Sequence, residues 1–153
     1  MSTLDRIDRA ILEQLQQDAR ITLTKLSSRV GISKTPCQIR MRRLENEGFI
    51  LKYSAQVNQQ KLGNRHIAFV QVNLSDTRTR ALESFNREAR KIAEIEECHM
   101  IASNFDYLLK VRTTDIESYR NILGEKISSL PHVTHTSTFV VMEAVRDSSA
   151  QNV

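Results

Sequence analysis

The stretch Thr22-Leu23-Thr24-Lys25-Leu26-Ser27-Ser28-Arg29-Val30-Gly31-Ile32-Ser33-Lys34-Thr35-Pro36-Cys37-Gln38-Ile39-Arg40-Met41-Arg42-Arg43-Leu44 decides the reading of the N-terminal third. Thr22 suits the N-cap of a short helix whose inward residues are Leu26 and Val30, with Leu23 at the margin. Gly31 falls where a helix C-cap needs a left-handed residue. Ile32 anchors the turn, and either Ser33 or Thr35 caps the next helix. Thr35 before Pro36 fits an N-cap followed by a first helical residue. That next helix carries Cys37, Met41, Leu44 and Gly48 on one narrow stripe, and small residues at Ser27 and Gly31 allow the two helices to cross closely.

Upstream, Leu4, Ile7, Ile11, Leu12 and Leu15 recur at helical steps of three and four. Downstream, Phe49 to Val57 reads as strand. A longer helix, two short helices joined by a Gly turn, then strand describes a winged helix-turn-helix, with a generic three-helix bundle as the alternative. Residues 58–65 are polar with one Gly and read as a linker. Beyond them the pattern changes to strand (66–74), helix (Leu82, Phe85, Ala89, Ile92) and strand (98–102). A turn at 103–106, a strand from Tyr107 to Arg112, a helix capped by Asp115 and a strand over about 133–144 complete it. The helix after Asp115 has inward Ile116, Tyr119, Leu123 and Ile127. The order βαββαβ is the ferredoxin-like unit, so the fold class is α+β. The expected domains are 1–57, a linker at 58–65, 66–147, and a flexible tail at 148–153.

Among 153 residues there are 22 Lys/Arg and 18 Asp/Glu, a net charge of +4. Residues 1–53 hold ten bases and six acids, whereas 54–153 hold twelve of each, so the excess lies entirely in the first third. Ala19 to Leu44 has seven bases and no carboxylate. Such a run either attracts a polyanion or is simply a solvated basic face. No apolar run reaches the roughly 18–20 residues that span a bilayer. The first residues lack a signal-peptide pattern, so a cytoplasmic address is expected. Cys37 and Cys98 are too few for a disulfide framework, are most simply buried small hydrophobes, and make no zinc spacing. His132 and His135 form an HxxH pair without a third ligand, so no metal and no cofactor is expected. Mid-helix Gly124 suggests the close approach of another backbone.

If Cys37, Met41 and Leu44 face inward, the opposite face of the third helix presents Thr35, Gln38, Ile39, Arg42 and Arg43. An amide suits adenine, guanidinium groups suit guanine or phosphate, and an apolar group suits a thymine methyl. Gln38, Ile39 and Arg42 are expected to face bases, and Lys34 and Arg43 phosphates. Ser33 and Lys34 sit where backbone N–H groups also receive a phosphate. Arg40 flanks the core stripe and can instead pair internally with Glu47 or Asp8. Double-stranded DNA is the partner these groups fit.

Several motifs resemble the leucine-responsive/asparagine-responsive (Lrp/AsnC) transcription regulators. They are Leu4-Asp5-Arg6-Ile7-Asp8-Arg9, Thr35-Pro36-Cys37, Arg42-Arg43-Leu44-Glu45 and Gly48-Phe49-Ile50 in the first third. Glu97-Cys98-His99, Phe105-Asp106-Tyr107-Leu108-Leu109-Lys110 and Val140-Val141-Met142-Glu143 follow in the second, so the likeness covers residues 4–147. Ser33 to Gln38 and Phe139 to Val145 look most like that family's proline-catabolism activators. The resemblance implies a bacterial or archaeal regulator whose second domain dimerises, assembles to octamers or similar rings, and binds a small amino acid, proline first and leucine next.

For such a ligand, the loop Ser103–Asp106 supplies Asp106 for the ammonium group, with Asn104 or backbone groups for the carboxylate. The resemblance brings the last strand close at a subunit interface, where Thr136, Ser137 and Thr138 add hydroxyl donors, and His99 and Met100 form a wall. The alternative is a plain hairpin turn in which Asp106 satisfies backbone groups. Ser103-Asn104 stand where many relatives carry Gly-Asp. No nucleophile–base pair, phosphate loop or metal triad appears, so an enzyme is not expected. An effector-independent DNA-architectural protein of the same fold is the remaining alternative.

Overall fold

A computed structural model describes residues 3–145, which fall into two compact units dividing after Ala55. The expected tail at 148–153 lies outside the described residues.

The first unit contains α1 (Arg6–Gln17), α2 (Leu23–Val30) and α3 (Lys34–Asn46). Its core is Ile11 and Leu15 of α1, Leu26 and Val30 of α2, and Cys37 and Leu44 of α3. Two of the three helices begin where a side chain accepts from their first free N–H groups. Thr22 Oγ1 accepts from Lys25 N at 3.3 Å, as its type and place predict. On α1 a reciprocal capping box forms: Asp5 Oδ1 accepts from Asp8 N at 2.8 Å, and Asp8 Oδ2 from Asp5 N at 3.1 Å. Ser33, not Thr35, is the N-cap of α3, and its side chain makes no capping bond.

Gly31 adopts φ +75° and ends α2, with Ile32 N donating to Ser27 O at 3.0 Å. A Cβ at Gly31 would meet nothing within 4 Å, so backbone handedness rather than close helix crossing requires glycine there. Gly48 is not part of the inward stripe: at φ +75° it terminates α3, and both Phe49 N and Ile50 N donate back to Leu44 O. The strand expected over 49–57 does not form. An extended segment becomes a strand only when a neighbour satisfies its N–H and C=O groups, and residues 51–57 find no ladder partner among the described residues. Leu51 is 89% exposed.

The second unit is a four-stranded antiparallel sheet in the order β2-β3-β1-β4. Its strands are β1 (His66–Leu74), β2 (Ile95–Met100), β3 (Tyr107–Thr113) and β4 (Val133–Val140). Helices α4 (Thr79–Ala89) and α5 (Ile116–Ile122) follow β1 and β3, giving the ferredoxin-like order. Ala68, Val70 and Val72 of β1 and Tyr107, Leu109 and Val111 of β3 alternate toward the helices. There they meet Phe85, Ala89, Tyr119 and Ile127, and the Phe85 and Tyr107 ring centroids lie 4.3 Å apart.

Further expectations change, and β4 ends at Val140 rather than near residue 144. β2 runs from Ile95 to Met100 rather than from Cys98 to Ala102, and Cys98 is exposed because an edge strand overhangs the helix layer. Asp115 does cap α5, accepting from Ser118 N at 2.7 Å, but Ile116 in the first turn is 58% exposed. From Leu123 to Ile127 the helix widens to a π turn, and a Cβ at Gly124 would meet no atom of the described residues within 4 Å, so no backbone of these residues approaches it.

Replacing Phe85 by Ala is expected to cost about 3–5 kcal/mol through the cavity left against Tyr107, read as a lowered urea midpoint.

Candidate nucleic-acid interface and effector site

On α3 the inward stripe leaves Lys34, Thr35, Gln38, Ile39 and Arg42 exposed, with Ser33 exposed just ahead of the helix. Ile39 is 63% exposed, an apolar side chain standing among polar ones. These six positions share the accessible side of one helix start, as the sequence pattern predicts.

Arg43 departs from its expected place. Its Nη2 donates to Asp8 Oδ2 at 2.5 Å, and its Nε is buried without a partner. Arg40 Nη1 donates to Asp8 Oδ1 at 2.8 Å and to Asp5 Oδ2 at 2.6 Å. Arg40 thus takes one of its two internal alternatives, Asp8 rather than Glu47. Arg43 is held inward too, so its guanidinium is not offered to a phosphate.

Asp8 is the residue that joins these groups. It is 0% exposed and sits in the apolar stripe of α1 between Leu4 and Ile11. Burial pushes its carboxyl up, yet the Asp5 capping bond and the two guanidiniums outweigh this and hold it at about 2. The signal was legible as an Asp on a helix face otherwise made of Leu and Ile, opposite two arginines spaced three apart. Past the end of α3, Tyr53 Oη donates to Glu45 Oε1 at 2.8 Å and ties the extended segment back to the helix.

In the second unit, the expected ligand residues do not gather on one surface. Register places Met100 opposite Tyr107, Tyr107 opposite Val72, and Val72 opposite Thr136, all on the helix side of the sheet. His99, Leu108, Gln71 and Ser137 form the next row, on the other side. A wall built from both His99 and Met100 is therefore excluded within one chain, because neighbouring strand residues point oppositely. Thr138 returns to the helix side, where Tyr119 Oη and Thr138 Oγ1 lie 2.5 Å apart. His99 Nε2 lies 3.2 Å from Glu97 Oε2, and Ser137 Oγ 3.3 Å from His135 Nε2.

The loop itself is internally satisfied in part. Asp106 Oδ2 accepts from Leu74 N at 2.7 Å, Asn104 O accepts from Asn73 Nδ2 at 3.0 Å, and Ser103 Oγ donates to Asn104 Oδ1 at 3.0 Å. One Asp106 oxygen is therefore spent on the backbone, as the hairpin alternative has it. No group of three metal-ligating side chains occurs among the described residues. None of their helices is long and apolar enough to cross a membrane.

Residues 4–50 match the family model for winged helix-turn-helix DNA-binding, and residues 67–151 match that for the Lrp/AsnC ligand binding domain. The chain belongs to the Lrp/AsnC family. It is a DNA-binding transcription regulator, not an enzyme. It is 62% identical over 144 residues to the proline dehydrogenase transcriptional activator of Rhizobium radiobacter, covering 94% of this chain and 92% of that one. Identity to the leucine-responsive regulatory protein of Escherichia coli K12 is 48%, over 95% and 89% of the two chains. Among solved structures, a transcriptional regulator of Neisseria meningitidis in complex with L-Met superposes with a TM-score of 0.87. It is 29% identical and 97% of each chain is covered. In this Lrp/AsnC chain α3 carries the exposed polar face, and Asp8, which the sequence offered only as one partner for Arg40, also holds Arg43.

Asp8→Asn should lower stability by about 2 kcal/mol, because two partly exposed guanidiniums lose a buried counter-charge, although Arg40 keeps Asp5. Since the folded carboxyl titrates below its unfolded value of 3.8, its stabilisation is complete above that pH. It is lost as pH falls from about 3.8 through about 2. Urea midpoints measured from pH 6 to pH 2 should therefore fall more steeply for the parent than for Asp8→Asn.

Proposed function

We propose that the chain regulates amino-acid metabolism genes by seating α3 in the major groove and answering to a small amino acid, proline first and leucine next. One observation carries the DNA half: Gln38, Ile39 and Arg42 stay exposed while Arg40 and Arg43 are anchored to Asp8. Gln38, Ile39 and Arg42 read bases, whereas Ser33, Lys34 and Thr35 meet the phosphate backbone. Residues 1–57 form the reading domain and 66–147 the sensing and assembly domain, joined by 58–65. The protein works in the cytoplasm as a homodimer that assembles further, so its operators are pseudo-palindromic with half-sites about one helical turn apart. The relatives named for proline dehydrogenase activation and leucine response support the effector choice.

Asp106, with Asn104 and Ser103, remains the candidate for holding the effector, completed by a second subunit that brings the Ser137 hydroxyl of β4, whereas Thr136 and Thr138 face the helices. A second reading, an effector-independent architectural protein, is favoured by the bond from Leu74 N to Asp106 and by the opposite facing of His99 and Met100.

Gel retardation and footprinting on DNA upstream of the chain's own gene, with and without proline and leucine, separate the two. Arg42→Ala should cost about 1–3 kcal/mol at one base position, and Lys34→Ala should weaken all duplexes evenly and reduce the salt slope by about one. No retardation of any native duplex at low salt would remove the DNA reading. Unaltered footprints with every amino acid would favour the architectural one.

A further inference from the structure

Ile39 stands in the second turn of α3 and is 63% exposed. Among the residues of α1, α2 and α3 it is the one large apolar side chain left open to solvent. The other exposed apolar residues described in the first unit, Phe49, Leu51 and Tyr53, follow α3 outside any helix. A single exposed isoleucine needs no explanation by itself. The groups around this one give it a role.

With about 100° of turn per residue, positions 35, 38, 39 and 42 share one side of the helix. All four are exposed, and the three around Ile39 are polar. Thr35 lies one turn before Ile39, on the side toward which helical side chains lean, and brings a methyl group of its own. Arg43 lies one turn after it, where a free arginine folds its methylene stem over apolar neighbours. Here its guanidinium is drawn to Asp8 instead, and Arg40 is drawn there as well. Ile39 stays open, and the bonds that keep it so also fix the rotation of α3.

The major groove presents one apolar group among its donors and acceptors, the C5-methyl of thymine. In 5-methylcytosine the same group occupies the same place, whereas uracil and cytosine present only hydrogen there. We infer that Ile39, with the Thr35 methyl beside it, is a specificity-determining contact for a pyrimidine C5-methyl group, so that operator affinity depends on methylation at that base. Gln38 and Arg42 act on hydrogen-bonding edges, which C5 methylation leaves unchanged. The contact rests on α3 being the base-reading helix proposed above. It makes a covalent mark on DNA an input beside the amino-acid effector.

The test uses the full chain and a footprinted duplex from upstream of its gene. Each thymine of the footprint is replaced in turn by deoxyuridine, which keeps base pairing and removes only the methyl. One thymine in each half-site is expected to matter, with affinity in gel retardation falling about fourfold, the worth of one buried methyl group. At that position 5-methylcytosine opposite guanine should exceed cytosine opposite guanine by the same factor. Ile39→Ala should abolish both steps, and Ile39→Val should retain most of each. Alanine is the better helix former at an exposed position, so the variant folds, and a circular dichroism melt verifies this. Absence of either step in the parent, or its survival in Ile39→Ala, overturns the contact. Failure of the underlying reading has a different signature: Arg42→Ala leaves affinity and base preference intact, or no native duplex is retarded at all.

Discussion

A carboxylate with no access to water joins α1 to α3, and the presentation of the exposed polar face of α3 depends on it. Asp8 accepts from Arg40 and Arg43 and is itself fixed by the capping box with Asp5. Ion pairs of this sort add little net stability over a well-packed apolar contact, because desolvation offsets attraction. Their value is directional. Two guanidiniums three residues apart, bound to the two oxygens of one group, set both the rotation and the height of α3 on α1. Apolar contacts among Ile11, Leu26, Cys37 and Leu44 would tolerate a helix turned by some degrees. The Asp8 cluster does not, and so the same three side chains keep facing outward.

This arrangement divides labour within one basic run. The run between Ala19 and Leu44 carries seven cations, yet two of them serve the interior. What remains for a polyanion is Arg42 on the exposed side, Lys34 at the helix start, and the bases of α2 and the preceding turn. Arg29 among these is occupied by a hydrogen bond to Gln14 Oε1 at 2.9 Å. The number of bases in the run therefore overstates how many side chains are free to reach a polyanion.

In the second unit the ruling constraint is the two-residue period of a strand. It sends Val70, Leu109 and Val111 into the helix-covered core and leaves Phe69 opposite Phe139 on the other side. The same period separates His99 from Met100 and Ser137 from Thr138. A ligand held by one chain reaches only one of those sets. The edge position of β2 adds a second effect, because α4 ends before covering it. Cys98 and Met100 are left exposed beside a buried Tyr107, and that mismatch of layer widths is what creates a cavity there.

Sequence alone determined the helices, the Gly31 turn, the Thr22 and Asp115 caps, the βαββαβ order and the outward face of Gln38, Ile39 and Arg42. These features follow from local periodicity and from groups within four residues of each other, which a linear reading sees. The tertiary structure decided where Arg43 points, because its partner lies 35 residues away. It also decided that residues 49–57 are extended without being a strand, since a ladder needs a neighbour that no local pattern supplies. Burial of Cys98 failed for a related reason: whether an edge strand is covered depends on where another element stops. Long-range pairing and layer coverage are properties of the assembled chain, and only coordinates contain them.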